Sequence, residues 1–384
     1  MKRTRGFLAV LFSVAFCACL AAAPAGGGPV KKVRAGFYAD NGSEGPGMLL
    51  LARILFHSPG IEVTVISGED LRKGVLDKLD LLVCPGGGSG RQFKAMGPKG
   101  QEAVRNFLRR GGGYVGVCAG AFSTLPSPVR LGVLPFENIP NAWGRDSMVT
   151  VDIPKEGAAI LGIAPGQRRV AYNGGPIFRP VTGPWPHGEG RALAFYKSTV
   201  SGPDRPAHKD FFNAPAIIYG NYGKGKAVGI SFHPEKDSAT EEIVTGAVYA
   251  VTGLKTAPRH PRKSFHPFRA GYFSAPAARK SRAGAIRELL ALDSSPRLTV
   301  QLYPFNDHNF DALDLLLLPE GPAGAYKGFG AKYAPMLETL LGRGGRIIAC
   351  EEALPELPKH PGVIPVKKGS SLLKECEKII KATK

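Results

Sequence analysis

Gly116-Val117-Cys118-Ala119-Gly120 follows the apolar run that opens at Tyr114, and its reading decides the fold. Tyr114–Val117 has the character of a strand buried on both faces. A nucleophile carried on a sharp strand-to-helix turn needs small neighbours, because the backbone there is strained and crowded. Gly116 and Gly120 supply that room on either side of Cys118. Such a turn places the sulfur at the C-terminal edge of the sheet, where doubly wound folds bind ligands. A helix opening at Ala119 favours the thiolate over the thiol. The competing reading is a buried structural cysteine, and the strand-then-turn context weighs against it.

Upstream of the turn, short apolar strands are expected at Val33–Ala39, Ile61–Ile66 and Leu79–Cys84, and helices at Met48–Phe56 and Gly100–Arg110. Strands alternating with helices imply a doubly wound α/β sheet. Downstream the character changes. Short strands are expected at Met148–Ile153, Arg168–Ala171, Ala192–Tyr196, Ala216–Tyr219 and Ala227–Ser231, separated by Pro/Gly loops, before a helix at Ala239–Val251.

Parts of the N-terminal pattern recur. Arg34-Ala35-Gly36-Phe37-Tyr38 reappears as Arg269-Ala270-Gly271-Tyr272-Phe273, and Leu79-Asp80-Leu81-Leu82-Val83-Cys84-Pro85 as Leu313-Asp314-Leu315-Leu316-Leu317-Leu318-Pro319. Arg110-Gly111-Gly112-Gly113 returns as Arg343-Gly344-Gly345-Arg346. Three matches in order read as an internal repeat. The expected organisation is an α/β domain over 30–253, a basic, Pro-rich linker over 254–267 and a second α/β copy over 268–384, ending in a strand at Val363–Val366 and a helix near Ser370–Ile380. Cys350 aligns with Cys118, but Glu351 and Glu352 follow it where Ala119 and Gly120 follow Cys118. An acidic, crowded turn suits neither a thiolate nor an oxyanion, so the second copy reads as degenerate.

His233-Pro234-Glu235 follows the strand expected at Ala227–Ser231. Beside a nucleophilic cysteine, a histidine takes the thiol proton and returns it to the leaving group, and a carboxylate orients the imidazole. The order Gly-x-Cys-x-Gly, then His-Pro-Glu, resembles the class I glutamine amidotransferase superfamily. Gly-Val-Cys-Ala-Gly-Ala-Phe together with Tyr172-Asn173-Gly174-Gly175-Pro176 resembles, more narrowly, the biotin–protein ligase N-terminal domain family. The resemblance spans about Val33 to Gly253. It implies a flavodoxin-like parallel sheet, with Cys118 as nucleophile, His233 as base and Glu235 as orienting acid. It also implies that Pro85-Gly86-Gly87-Gly88 supplies one oxyanion-hole amide, with Gly87 favoured over Gly88, and that the Ala119 N–H supplies the other. Asn173, Gly174 and Gly175 read either as a substrate-facing turn or as an ordinary loop. Asp40-Asn41-Gly42-Ser43-Glu44-Gly45 should lie at the same edge. Cys84 reads as a small core residue, with a disulfide to Cys118 as the alternative.

Phe122 stands where glutamine-using members usually carry Gln, which argues against glutamine as the substrate. No ligase domain accompanies the motifs, so biotin ligation is rejected. Two functions remain: a cysteine amidohydrolase or amidotransferase acting on a small-molecule or peptide amide, and a non-catalytic binding protein that keeps the pocket. Neither calls for a cofactor or a metal.

The composition frames these readings. Hydrophobic residues make up 43% and charged residues 21% of the 384, which is ordinary globular composition, so disorder is not the default reading. Lys2, Arg3 and Arg5 precede the apolar run Phe7–Leu20, which is too short for a good membrane span, and small residues follow at 21–25. Residues 1–25 therefore read as a secretory signal peptide, which directs the protein to the periplasm or the exterior. Cys19 as a lipidated cysteine is the alternative, though Phe16 fits that motif poorly. The net charge of +19 suits anionic partners such as an envelope polymer, or is a solubility bias spread over the surface. No arginine-rich helix or aromatic nucleic-acid motif accompanies it.

Overall fold

The computed structural model describes residues 32–43, 46–128, 130–140, 147–199, 211–257, 268–273, 300–304, 313–320, 323–367, 370, 374–376 and 378. The stretch read as a signal peptide, with Cys19, and Glu44-Gly45 and residues 258–267 of the expected linker lie outside them.

The larger of two main sheets is built first by a βα alternation. Strand β1 (Val33–Tyr38) leads through α1 (Pro46–His57) to β2 (Ile61–Ile66), and through α2 (Gly68–Arg72) to β3 (Leu81–Cys84). Helix α3 (Ser89–Arg109) then returns the chain to β4 (Gly113–Val117), which ends at the single-turn helix α4 (Ala119–Phe122). The sequence pattern marks only the second half of α3, because Gly97-Pro98 interrupts it. Gly97 takes φ 67° and ψ 169°, which is not helical, so α3 is two helical segments broken at Gly97-Pro98, and the expected Gly100–Arg110 helix lies within the second.

The later strands are β5 (Phe136–Asn138), β6 (Ser147–Ile153), β7 (Gly166–Tyr172), β8 (Phe178–Pro180), β9 (Gly190–Tyr196), β10 (Pro215–Tyr222) and β11 (Gly225–Ile230). Helix α5 (Lys155–Leu161) lies between β6 and β7, and α6 (Glu242–Thr252) follows β11. The nine-stranded order is β2-β1-β3-β4-β11-β10-β9-β6-β7. The pairs from β2 through β4 to β11 are parallel, whereas those from β11 to β7 are antiparallel. The expected doubly wound parallel sheet thus forms one half of a mixed sheet.

Alternation along each strand builds two layers. Leu81 and Val83 of β3 and Val115 and Val117 of β4 join α1 (Leu51, Leu55) and α6 (Val244, Val248) in one buried cluster. Leu82, Cys84 and Tyr114 face the opposite layer with Phe93, Val104 and Leu108 of α3. Every residue of β3 and β4 is buried, which explains their unbroken apolar runs.

The second main sheet is all parallel. It comprises β12 (Phe268–Tyr272), β13 (Val300–Pro304), β14 (Leu315–Leu318), β15 (Arg346–Cys350) and β16 (Val363–Val366) in the order β13-β12-β14-β15-β16. This order repeats the connectivity of β2-β1-β3-β4-β11. Leu316, Leu318 and Ile347 pack with α7 (Phe329–Gly342). Leu315, Leu317, Ile348 and Val366 instead join the cluster that holds α1 and α6. No described helix is long and apolar enough to cross a membrane.

Candidate active site

Five loops meet at the C-terminal edge of the parallel strands, and Cys118 lies at their centre. Its backbone adopts φ 51°, ψ −104°, one of two positive φ values among the described non-glycine residues. That conformation costs on the order of 1–3 kcal/mol. Neighbouring contacts hold it. The Cys118 N–H donates to Ile230 O at 2.8 Å, and the Gly120 N–H to Pro85 O at 3.2 Å. The buried Tyr114 hydroxyl donates to Gly120 O at 2.8 Å. A Cβ on Gly116 would stand 2.3 Å from Gly120 O, and one on Gly120 would stand 2.1 Å from Cys84 O. The two glycines therefore follow from close packing of the turn against itself and against the end of β3. The helix expected to open at Ala119 is the single turn α4.

His233 arrives from the neighbouring strand. Strands β4 and β11 pair in parallel with Val117 opposite Ile230, so the chain leaving β11 passes beside the cysteine turn. The His233 N–H donates to Ala171 O at 2.8 Å, which fixes the backbone. Its Nδ1–H donates to Glu235 Oε1 at 2.7 Å, and its side chain also hydrogen-bonds Cys118. Burial works against the imidazolium, but the Glu235 carboxylate and the Cys118 sulfur outweigh it. The pKa of His233 is pushed up from 6.5 to about 10.

Glu235 is 1% exposed, and its Oε2 has no hydrogen-bond partner among the described residues. The first turn of α1 lies against it: a Cβ on Gly47 would stand 2.1 Å from Oε1. A helix N-terminus favours a carboxylate at this place. Gly86 closes the other side, since a Cβ there would stand 2.9 Å from His233 Cε1 and 3.5 Å from Cys118 Cβ.

The remaining expected site residues divide. Gly87 takes φ 134°, and neither its N–H nor that of Ala119 makes a hydrogen bond among the described residues. Gly88 differs from expectation: its N–H donates to Gly42 O at 2.8 Å and is consumed within the fold. Asn173 reaches the cysteine, with its carbonyl 3.6 Å from Sγ. Gly174 supplies the turn with φ 67°. Gly175 faces away, accepting from the Tyr172 hydroxyl at 2.7 Å and packing on the Ser231 carbonyl. In the first loop, Asp40 accepts from the N–H groups of Asn41 and Gly68, and Ser43 bridges to Gly87.

Cys84 lies in the layer opposite Cys118, and both are free thiols. Burial pushes the Cys84 pKa up to about 12. Cys350 ends β15 without a positive φ, and only a 3-10 turn at Leu354–Glu356 follows. The strained turn of Cys118 is absent there. Burial and the Glu352 carboxylate push the Cys350 pKa up to about 12.

Sequence reasoning missed three supports. Tyr114 reads as a core aromatic, yet its hydroxyl holds the cysteine turn. Ser231 accepts from the buried Tyr196 hydroxyl at 2.6 Å, which anchors the strand end ahead of His233. Gln92, fully buried, reaches back under the Pro85–Gly88 loop. Only the polarity of Gln92 in an apolar helix face signalled a role.

Residues 51–125 match the family described as Biotin-protein ligase, N terminal. The match runs from α1 through the cysteine turn, so the resemblance read from the Cys118 motif holds for the biotin–protein ligase N-terminal family. It stops well short of His233. No curated protein matches the chain. Among solved structures, PurLQS from Thermotoga maritima aligns over 56% of this chain and 98% of its own, at 15% identity and a TM-score of 0.41. A ThuA-like protein from Bacteroides uniformis aligns over 60% and 95%, at 13% identity and 0.42. A β-galactosidase from Bacillus circulans sp. alkalophilus aligns over 58% and 30%, at 15% identity and 0.38.

Proposed function

We propose that this protein is a cysteine-dependent amidohydrolase or amidotransferase. The observation that carries the reading is the placement of His233 between Cys118 and Glu235, with the 2.7 Å bond fixing Nδ1 and leaving Nε2 for the thiol. In this reaction His233 holds the Cys118 proton as the imidazolium that its raised pKa favours, and sulfur adds to the amide carbonyl carbon. The carbonyl π electrons move to oxygen, which the N–H groups of Gly87 and Ala119 receive. The C–N bond then breaks, and His233 donates the proton to the leaving amine. Water or an acceptor amine next attacks the thioester, with His233 as base, and the thiol is regenerated. Glu235 holds the imidazole and stabilises its charged form. From residues 1–25 we also propose that the chain is exported.

A non-catalytic binding role is favoured by one observation: Cys118 is 5% exposed and its sulfur faces the Asn173 carbonyl. The rate of alkylation of Cys118 against pH separates the two readings. Fast labelling near neutral pH that slows in His233→Ala supports the enzyme. A rate no higher than that of an ordinary thiol leaves the binding role.

A further inference from the structure

We infer that Gln92 is a positioning residue that sets the oxyanion-binding loop, an inference that rests on the nucleophile reading of Cys118. Gln92 lies in the first turns of α3, just behind Pro85-Gly86-Gly87-Gly88, and is 0% exposed. Its Nε2 donates to Pro85 O at 2.9 Å and lies 3.5 Å from Gly86 O and 3.4 Å from Ser43 Oγ. Two of these partners are carbonyls, which accept only, so the amide nitrogen must face them. Its Oε1 is buried without a hydrogen-bond partner among the described residues. A buried orphan oxygen is unfavourable, and a Leu or Met would fill the same space without it.

What Gln92 gains is a tie between two loops. One is the Ser43 turn after β1. The other carries Gly86, which abuts His233, and Gly87, whose N–H makes no hydrogen bond among the described residues. The main chain adds to the tie: the Tyr38 hydroxyl donates to Gln92 O at 3.2 Å, and the Gln92 N–H donates to Gly88 O at 3.0 Å. Loss of the side-chain amide leaves the Pro85 carbonyl with the Gly120 N–H but releases the Gly86 carbonyl, and the Gly87 N–H, in the same peptide group as that carbonyl, rotates with it. The thiol and imidazole, held by β4 and β11, stay in place.

Two probes of Cys118 separate these consequences. Iodoacetamide alkylation forms an S–C bond with loss of iodide and creates no oxyanion. Acetaldehyde forms a reversible thiohemiacetal: sulfur bonds the carbonyl carbon, the π bond breaks, and the proton ends on oxygen in the loop. Isotope-labelled acetaldehyde followed by NMR gives the adduct's dissociation constant. For Gln92→Met we expect alkylation within about twofold of the parent and adduct affinity weakened about tenfold or more. Gln92→Glu keeps the length of the side chain and, when protonated, one donor; it should fall between the two and serves if the Met variant does not fold. Unchanged adduct affinity in a folded variant would overturn the inference, as would equal losses in both probes. A parent that alkylates rapidly but forms no adduct would overturn both the inference and the oxyanion loop. A parent that fails to alkylate rapidly would instead remove the nucleophile reading beneath it.

Discussion

Gly47 and Glu235 are so closely packed that one added methyl on the glycine would stand 2.1 Å from the carboxylate oxygen that binds His233. The same methyl would stand 3.2 Å from His233 Nδ1. Gly47→Ala should therefore displace the pair without touching the cysteine turn. We expect Cys118 alkylation near neutral pH to fall by about ten- to a hundredfold, the range for small misplacements of reacting groups. Alkylation kinetics compared with the far-ultraviolet circular dichroism of the same sample check this. An unchanged rate in a folded variant would remove Glu235 from the constellation.

The histidine gives a stability signature. Its folded pKa of about 10 exceeds the ordinary value of 6.5, so its contribution is fully present below pH 6.5 and is lost as pH rises through about 10. Between those limits the folded state holds a proton that the unfolded chain releases. The parent should thus lose stability relative to His233→Ala across this window, by on the order of a few kcal/mol. Urea midpoints measured for both proteins from pH 6 to pH 10 supply the comparison; parallel curves would refute it.

Thiol labelling should be selective. Burial holds Cys84 and Cys350 as thiols up to a pKa of about 12. Under native conditions at neutral pH, peptide mapping should find Cys118 modified first, with Cys84 and Cys350 modified only after denaturation. Cys118→Ser should abolish the fast phase.

The turn itself is sensitive to volume. In Gly120→Ala the new methyl meets the Cys84 carbonyl, which is main chain in the centre of the sheet and cannot step aside. We expect a loss of about 3 kcal/mol, at the upper end for overpacking, read as a lower urea midpoint. By contrast, Gly344→Ala, in the turn before β15, meets nothing within 4 Å, and its cost comes from its φ of 84° alone.

Much of the parallel half was legible because its strands are buried on both faces and its turns are marked by glycine. The juxtaposition of Cys118 with His233 and Glu235 was legible from chemistry and spacing. In the antiparallel half the alternating strands β6 and β7 were legible despite Asp152, Arg168 and Arg169, whereas β5 and β8, of three residues each, carry too short a pattern to read. Helix α5 went unread because it has only seven residues. Gly88 and Gly175 share a local signature with Gly87 and Gly174, and only tertiary partners tell them apart. Gln92 acts through contacts with segments on either side of it in the sequence, which spacing does not reveal.

The pairing of β4 with β11 also bears on the order in which the protein is made. The cysteine turn is complete once residue 122 has been synthesised, whereas its imidazole arrives with residue 233, after the whole antiparallel block. A nascent chain, or any fragment cut short of β11, carries the thiol without the imidazole that the proposed function assigns to it. On the proposed function, activation is thereby deferred until synthesis has passed the last strand of the sheet, and a truncated product carries only an ordinary thiol at this position.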